Sequence, residues 1–245
     1  MLASLPMYDW PEIRGATDAF WAGLAKHAGV SSRLDRNSDH HSVWRHKDFA
    51  FSQTCGYPFT HEFKGLLQYV ATPHYLADGC KGPFYSSLIF ARENLALAAM
   101  KGWRPAINSL DSMSGFLALK LAFPVEARMG DFFAPAVVSG SHLNSLKAVR
   151  EGKADICAID AVCVALAQKY RPQDLEGLVE IARSPMLPSL PYVTRGGDVE
   201  QWRLAVLKAF ADPTLADARA ALLLDRVSVL PEDAYEKILE LEAKL

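Results

Sequence analysis

Apolar stretches of strand length alternate with helical ones almost from end to end of this chain, and that alternation constrains its fold more than any other feature. Strands joined through helices return in the same direction, so the expectation is an α/β fold of mostly parallel sheets flanked by helices. The first strand is read at Leu2 to Met7, and a helix from Ala16 to His27 puts Phe20, Trp21 and Leu24 on one face. The polar, His-rich stretch 30–47 reads as a loop. Further strands are read at Phe49 to Gln53, at Leu67 to Thr72, closed by Pro73, and at Phe84 to Ala91. A short helix is read between the first two, after the turn Thr54-Cys55-Gly56-Tyr57-Pro58.

The middle of the chain repeats the pattern more tightly. A short helix near Leu95 to Met100 leads to a strand Ala106 to Asn108 and a helix Gly115 to Ala122 that Pro124 ends. A strand Pro135 to Ser139 and a helix Leu143 to Glu151 follow, with Gly152 at the position where a helix closes in the left-handed conformation. A strand Ala154 to Ile159 then enters a helix reaching Tyr170. Three prolines in 184–191 force an extended linker, and helices are expected over 199–210, 215–224 and 231–245. This order suggests two lobes, one of residues 1–87 with 188–245 and one inserted lobe of 88–187, with a ligand cleft between them.

Two polar runs stand where strand gives way to helix: Asp111-Ser112-Met113-Ser114-Gly115 and Ser139-Gly140-Ser141-His142. The free N–H groups of a helix's first turn and the positive end of its dipole favour an anion there, and Ser and Gly let an oxyanion approach. The same residues also serve as ordinary N-caps. Other polar residues at strand ends are Tyr8, Gln53 with Thr54, Thr72 and Asp160, the last of which equally suits a helix cap.

Composition removes several functions. The chain has 245 residues, 50% of them hydrophobic and 22% charged, and its net charge of −2 carries no general attraction to nucleic acid. No apolar run approaches the ~20 residues that span a bilayer, and the opening residues lack the basic and apolar regions of a signal peptide. The chain is therefore expected in the cytoplasm, or in the periplasm if a signal segment precedes this numbering. Asp39, His40, His41 and His46 match no zinc spacing, and neither Ser turn has the Gly-x-Ser-x-Gly of a hydrolase elbow. Cys55 and Cys80 fall in turns where they could pair; Cys157 and Cys163 look like buried small hydrophobes.

Phe51-Ser52-Gln53-Thr54-Cys55-Gly56-Tyr57-Pro58, then Thr72-Pro73-His74-Tyr75 through Gly79-Cys80-Lys81-Gly82 to Tyr85-Ser86-Ser87, resemble the phosphonate/phosphate-type substrate-binding proteins of ABC transporters. Asn108 to Gly115, Phe132-Phe133 with Ser139 to His142, and Gly152 to Asp160 continue the likeness over nearly the whole chain. The resemblance implies the two-lobed type II periplasmic-binding-protein fold, a monomeric chain that closes on a small oxyanion-bearing ligand, no cofactor, and an ABC permease as partner. By the same resemblance Ser112, Ser114 and the Gly115 amide hold the oxyanion, with Ser141 in the second turn. His142 donates to the anion, which favours its imidazolium form. Tyr8 and Tyr85 line the cleft, and Asp160 matches an acidic position that faces a ligand amine. Met113 stands where phosphonate binders carry Thr. The other reading is an enzyme on the same fold, of the menaquinone or thiamine-precursor type, with Cys55, His142 or Asp160 doing chemistry and His61 or His142 as base to Cys55. A ligand sensor is a third.

Overall fold

The computed structural model describes residues 1–124, 127, 132–231 and 233–245. Residue 232, in the last expected helix, lies outside them. The described residues form two units: Met1–Leu76 with Lys81–Pro83 and Pro188–Ala234, and Ala77–Cys80 with Phe84–Leu187 and Tyr235–Leu245.

The first unit carries a five-stranded sheet in the order Leu2–Ser4, Phe49–Gln53, Tyr192–Thr194, Gln68–Tyr75, Leu224–Ser228. Its first pair is parallel and the other pairs antiparallel, so the sheet is mixed and not mostly parallel. Tyr192–Thr194 reaches the middle of the sheet directly from the proline-rich segment, without the crossover helix that a parallel strand needs. The helices Arg14–Ala28 and Val199–Ala211 pack through rings. The Phe51 ring lies 5.9 Å from Trp21 and 4.8 Å from Trp202, and Phe51 itself is fully buried.

Several boundaries move. The first strand ends at Ser4, leaving Tyr8 in a turn. The strand expected to stop before Pro73 runs on to Tyr75: Pro73 sits opposite Val227, within the register shift between Leu224 and Val227, where a missing N–H is tolerated. The segment read as a loop contains the helix His40–Arg45, whose N-cap Asp39 accepts from the Ser42 amide and whose Val43 and Trp44 are buried. The stretch left between the expected helices 215–224 and 231–245 holds a strand, Leu224–Ser228.

In the second unit the order is Val179–Arg183, Ser87–Ala91, Ile156–Asp160, Pro105–Ile107, Val137–Val138. Ser87–Ala91 is antiparallel to both neighbours, while the last three strands are parallel. Ile89, Ile107, Leu119, Phe123 and Ile156 pack the core beside them. Asp155 fixes one end of this layer. Hydrogen bonds from Arg104 and Arg92 to its carboxylate hold that carboxyl down at about 2. Cys80, Cys157 and Cys163 are free thiols.

Candidate functional site

Three parallel strands of the second unit, Ile156–Asp160, Pro105–Ile107 and Val137–Val138, end at one edge of their sheet, and each runs on into helix. That topology is what brings Ser112, Ser141 and Asp160 to a common edge.

Each of the three caps a helix. Ser112 Oγ accepts from the Gly115 amide at 2.9 Å, Ser141 Oγ from the Asn144 amide at 3.2 Å, and Asp160 Oδ1 from the Val162 amide at 2.8 Å. The Gly115 amide, expected to hold the oxyanion, is thus occupied by Ser112. Capping leaves the two serines chemically able to bind a ligand, because a hydroxyl that accepts from an amide keeps its own proton to donate. A carboxylate can only accept, which is what a ligand amine requires. Asp160 is only 1% exposed and belongs to the helix Ala161–Tyr170. Asp160→Ala is expected to lose about 1–2 kcal/mol of stability through the lost cap, whereas Asp160→Asn retains most of it; urea unfolding measures both, and an unchanged midpoint for the alanine variant contradicts the capping role.

The first turn opens wider than an α-helix. Met113–Leu117 is a π turn, with the Ala118 amide reaching back to the Met113 carbonyl, and only then does the α-helix Ala118–Leu121 begin. Met113 is 2% exposed and part of the packed interior. Gly115 is pressed against Asn108: a Cβ built on it stands 1.8 Å from Asn108 Oδ1. The second turn is locked separately. Ser139 Oγ bonds the Ile107 and Ser141 carbonyls at 3.0 Å and Ser145 Oγ at 2.7 Å, and Gly140 takes φ +87.

One side-chain bond joins the two turns: Ser114 Oγ to His142 Nε2, at 2.9 Å. His142 Nδ1 is buried. Burial pushes the imidazole down to about 4, the Ala158 backbone opposing in part, so the fold by itself favours a neutral His142 near pH 7. Tyr85 is 3% exposed, on the short strand Phe84–Tyr85.

In the first unit Tyr8 and Gln53 meet around Tyr75, whose place on the strand the expected stop at Pro73 left out. The Tyr8 and Tyr75 rings stand edge to face at 5.2 Å, and Gln53 Nε2 donates to Tyr75 Oη at 2.8 Å and to the Leu190 carbonyl at 3.0 Å. With Thr17, Phe20 and Tyr192 they line a recess of about 30 Å³, room for one or two waters. Thr54 is fully buried and turns its hydroxyl to the Cys55 carbonyl. His61, the candidate base for Cys55, directs Nδ1 to Thr60 and the Tyr57 carbonyl. Among the described residues no group of His, Cys, Asp and Glu is arranged to hold a metal ion, and no helix is long and apolar enough to cross a membrane.

Residues 12–229 match a family model described as the periplasmic substrate-binding protein of the phosphonate ABC transporter. No curated protein matches the chain. Among solved structures, PhnD1 from Prochlorococcus marinus, in complex with methylphosphonate, is 16% identical, with a TM-score of 0.80 over 99% of this chain and 96% of that one. A binding-protein component of an ABC phosphonate transporter from Pseudomonas aeruginosa is 17% identical, with a TM-score of 0.81 over 98% of this chain and 84% of that one. A Xanthomonas citri protein bound to chloride is 16% identical, with a TM-score of 0.73 over 100% of this chain and 96% of that one. At these identities the structures carry the fold, which is that of the periplasmic binding proteins.

Proposed function

Because the chain belongs to the family of periplasmic substrate-binding proteins of ABC phosphonate transporters, a family of binding proteins and not of enzymes, we propose that its ligand is a small oxyanion and that the two Ser turns of the second unit hold it. The observation that carries this reading is the Ser114–His142 bond, which makes one polar cluster of two helix starts. With its proton on Nε2, a neutral imidazole donates to Ser114 Oγ and turns that serine's own proton toward the ligand. His142 then acts through Ser114, while the hydroxyls of Ser112 and Ser141 donate beside it. Hydrogen bonds to an ionised acceptor are about twice as strong as neutral ones, which lets uncharged donors hold an anion.

The family supplies a small ligand and a permease as partners. We assign the anionic character of the ligand, a monomeric chain and a periplasmic site of action as parts of the same proposal. Tyr8, Gln53, Thr54 and Tyr85 stand as candidates for the remainder of the ligand; Met113 enters as a packing residue under the Ser turn. Thermal unfolding with methylphosphonate, inorganic phosphate, phosphite and methanesulfonate tests the ligand class. At least one is expected to raise the midpoint in proportion to the logarithm of its concentration. No shift from any of them at millimolar concentration contradicts the reading.

A further inference from the structure

Asn108, at the end of the strand Pro105–Ile107, touches both Ser turns at once. Its carbonyl accepts from the Gly140 amide at 3.1 Å, and the neighbouring Ile107 carbonyl accepts from the Ser139 amide at 2.8 Å. Its side chain lies on the other turn, with Oδ1 1.8 Å and Cγ 2.8 Å from where a Cβ on Gly115 would be, and with Ser112 Oγ 3.2 Å from the same point. Oδ1 is buried there and has no hydrogen-bond partner.

A buried carboxamide oxygen without a donor is unfavourable by about 1–3 kcal/mol and calls for an explanation in a native site. Asn108 as a whole keeps some exposure. With Oδ1 inside, Nδ2 is the amide atom left to reach a ligand, and it carries two protons.

We propose that Asn108 is a further ligand-binding residue, its Nδ2 donating to an oxygen of the oxyanion, and that Gly115 is glycine so that the amide can lie against it. The inference rests on the oxyanion reading above. It makes the carboxamide the floor between the two turns: the backbone sets the second turn, the side chain completes the first.

Calorimetric titration with methylphosphonate and with inorganic phosphate tests it on the wild-type chain, Asn108→Asp and Asn108→Leu, with thermal unfolding alongside. At pH 7 the aspartate variant is expected to bind at least about a hundredfold more weakly, since it sets an acceptor-only anion against an anion, and the leucine variant about tenfold more weakly. The ratio of the aspartate variant to wild type should narrow as pH falls toward about 4, where the introduced carboxyl takes up a proton. That ratio removes the contributions of Asp111, His142 and Asp160, the ionisable groups of the surrounding turns, which both proteins share. Should the leucine variant fail to fold, the isosteric aspartate variant and its pH profile decide alone. An aspartate variant within threefold of wild type at pH 7, or equal losses in both variants with no pH dependence of the ratio, overturns the assignment of Asn108. A wild-type chain that binds neither probe overturns the oxyanion reading itself, and this assignment with it.

Discussion

Replacing Gly115 by alanine is expected to cost about 1–3 kcal/mol of stability, as overpacking does, and to weaken oxyanion binding more than tenfold. The added Cβ meets Asn108 Oδ1 at 1.8 Å and Cγ at 2.8 Å, distances at which something must move. Little there is free to move. Asn108 is a short side chain at a strand end whose carbonyl is held by the Gly140 amide. The alternative is to unwind the π turn that presents Ser112 and Ser114. Gly15 provides the control: a Cβ there meets nothing within 4 Å, so Gly15→Ala, inside the helix Arg14–Ala28, should gain about 0.5–1 kcal/mol. Urea unfolding and calorimetry on both variants check this. A Gly115→Ala protein as stable as wild type, and binding as well, contradicts the packing argument.

Stability should also fall as pH is lowered from about 6.5 to about 4, and His142→Gln should remove a large part of that fall. Burial holds the His142 imidazole at about 4 in the fold against the ordinary 6.5. Between those values the unfolded chain binds the proton and the folded chain does not, so stability is complete above 6.5 and is lost as pH falls. The full difference corresponds to roughly 3 kcal/mol, which the partial exposure of the residue reduces to roughly 1–3. His74 contributes with the same sign, its pKa lowered by burial and by Arg226. Asp155 and Asp212, both held at about 2, lose their contributions only below the ordinary carboxyl range, so the two windows separate. Denaturant midpoints at pH 7, 5.5 and 4 measure the effect; a His142→Gln protein that parallels wild type across this range contradicts it.

Much of this fold is legible in the sequence because its strands and helices carry opposite periodicities. Phe49–Gln53 is found where its apolar run ends at the Thr54 turn, and Gly152 closes its helix at φ +71. What sequence hides is set by neighbours. Leu224–Ser228 shows no clean alternation, with Asp225 and Arg226 exposed at its centre, and it becomes a strand only because Gln68–Tyr75 offers an edge. The helix His40–Arg45 is masked by its polar residues, although Asp39 ahead of Val43 and Trp44 is a readable cap signal.

The site divides the same way. Ser112, Ser114, Ser141 and His142 are visible from their positions between strand and helix. Which of their atoms are already engaged is invisible without coordinates: the Gly115 amide belongs to Ser112, and His142 Nε2 to Ser114. Asn108 and Tyr75 stand in the quoted motifs without a role at the site, each assigned to a strand's end or to the stretch beyond it.

The central claim is that the Ser114–His142 cluster holds the oxyanion. Calorimetric titration of wild type and of the Ser114→Ala/His142→Ala variant with methylphosphonate at pH 7 tests it most directly, with thermal unfolding to confirm that both are folded. The Ser114 hydrogen bond to the ionised ligand contributes about 1.5–3 kcal/mol and the His142 bond orients it, so wild type should give saturable binding at one site and the variant a loss of at least about tenfold. A folded double variant that binds methylphosphonate as tightly as wild type contradicts the account.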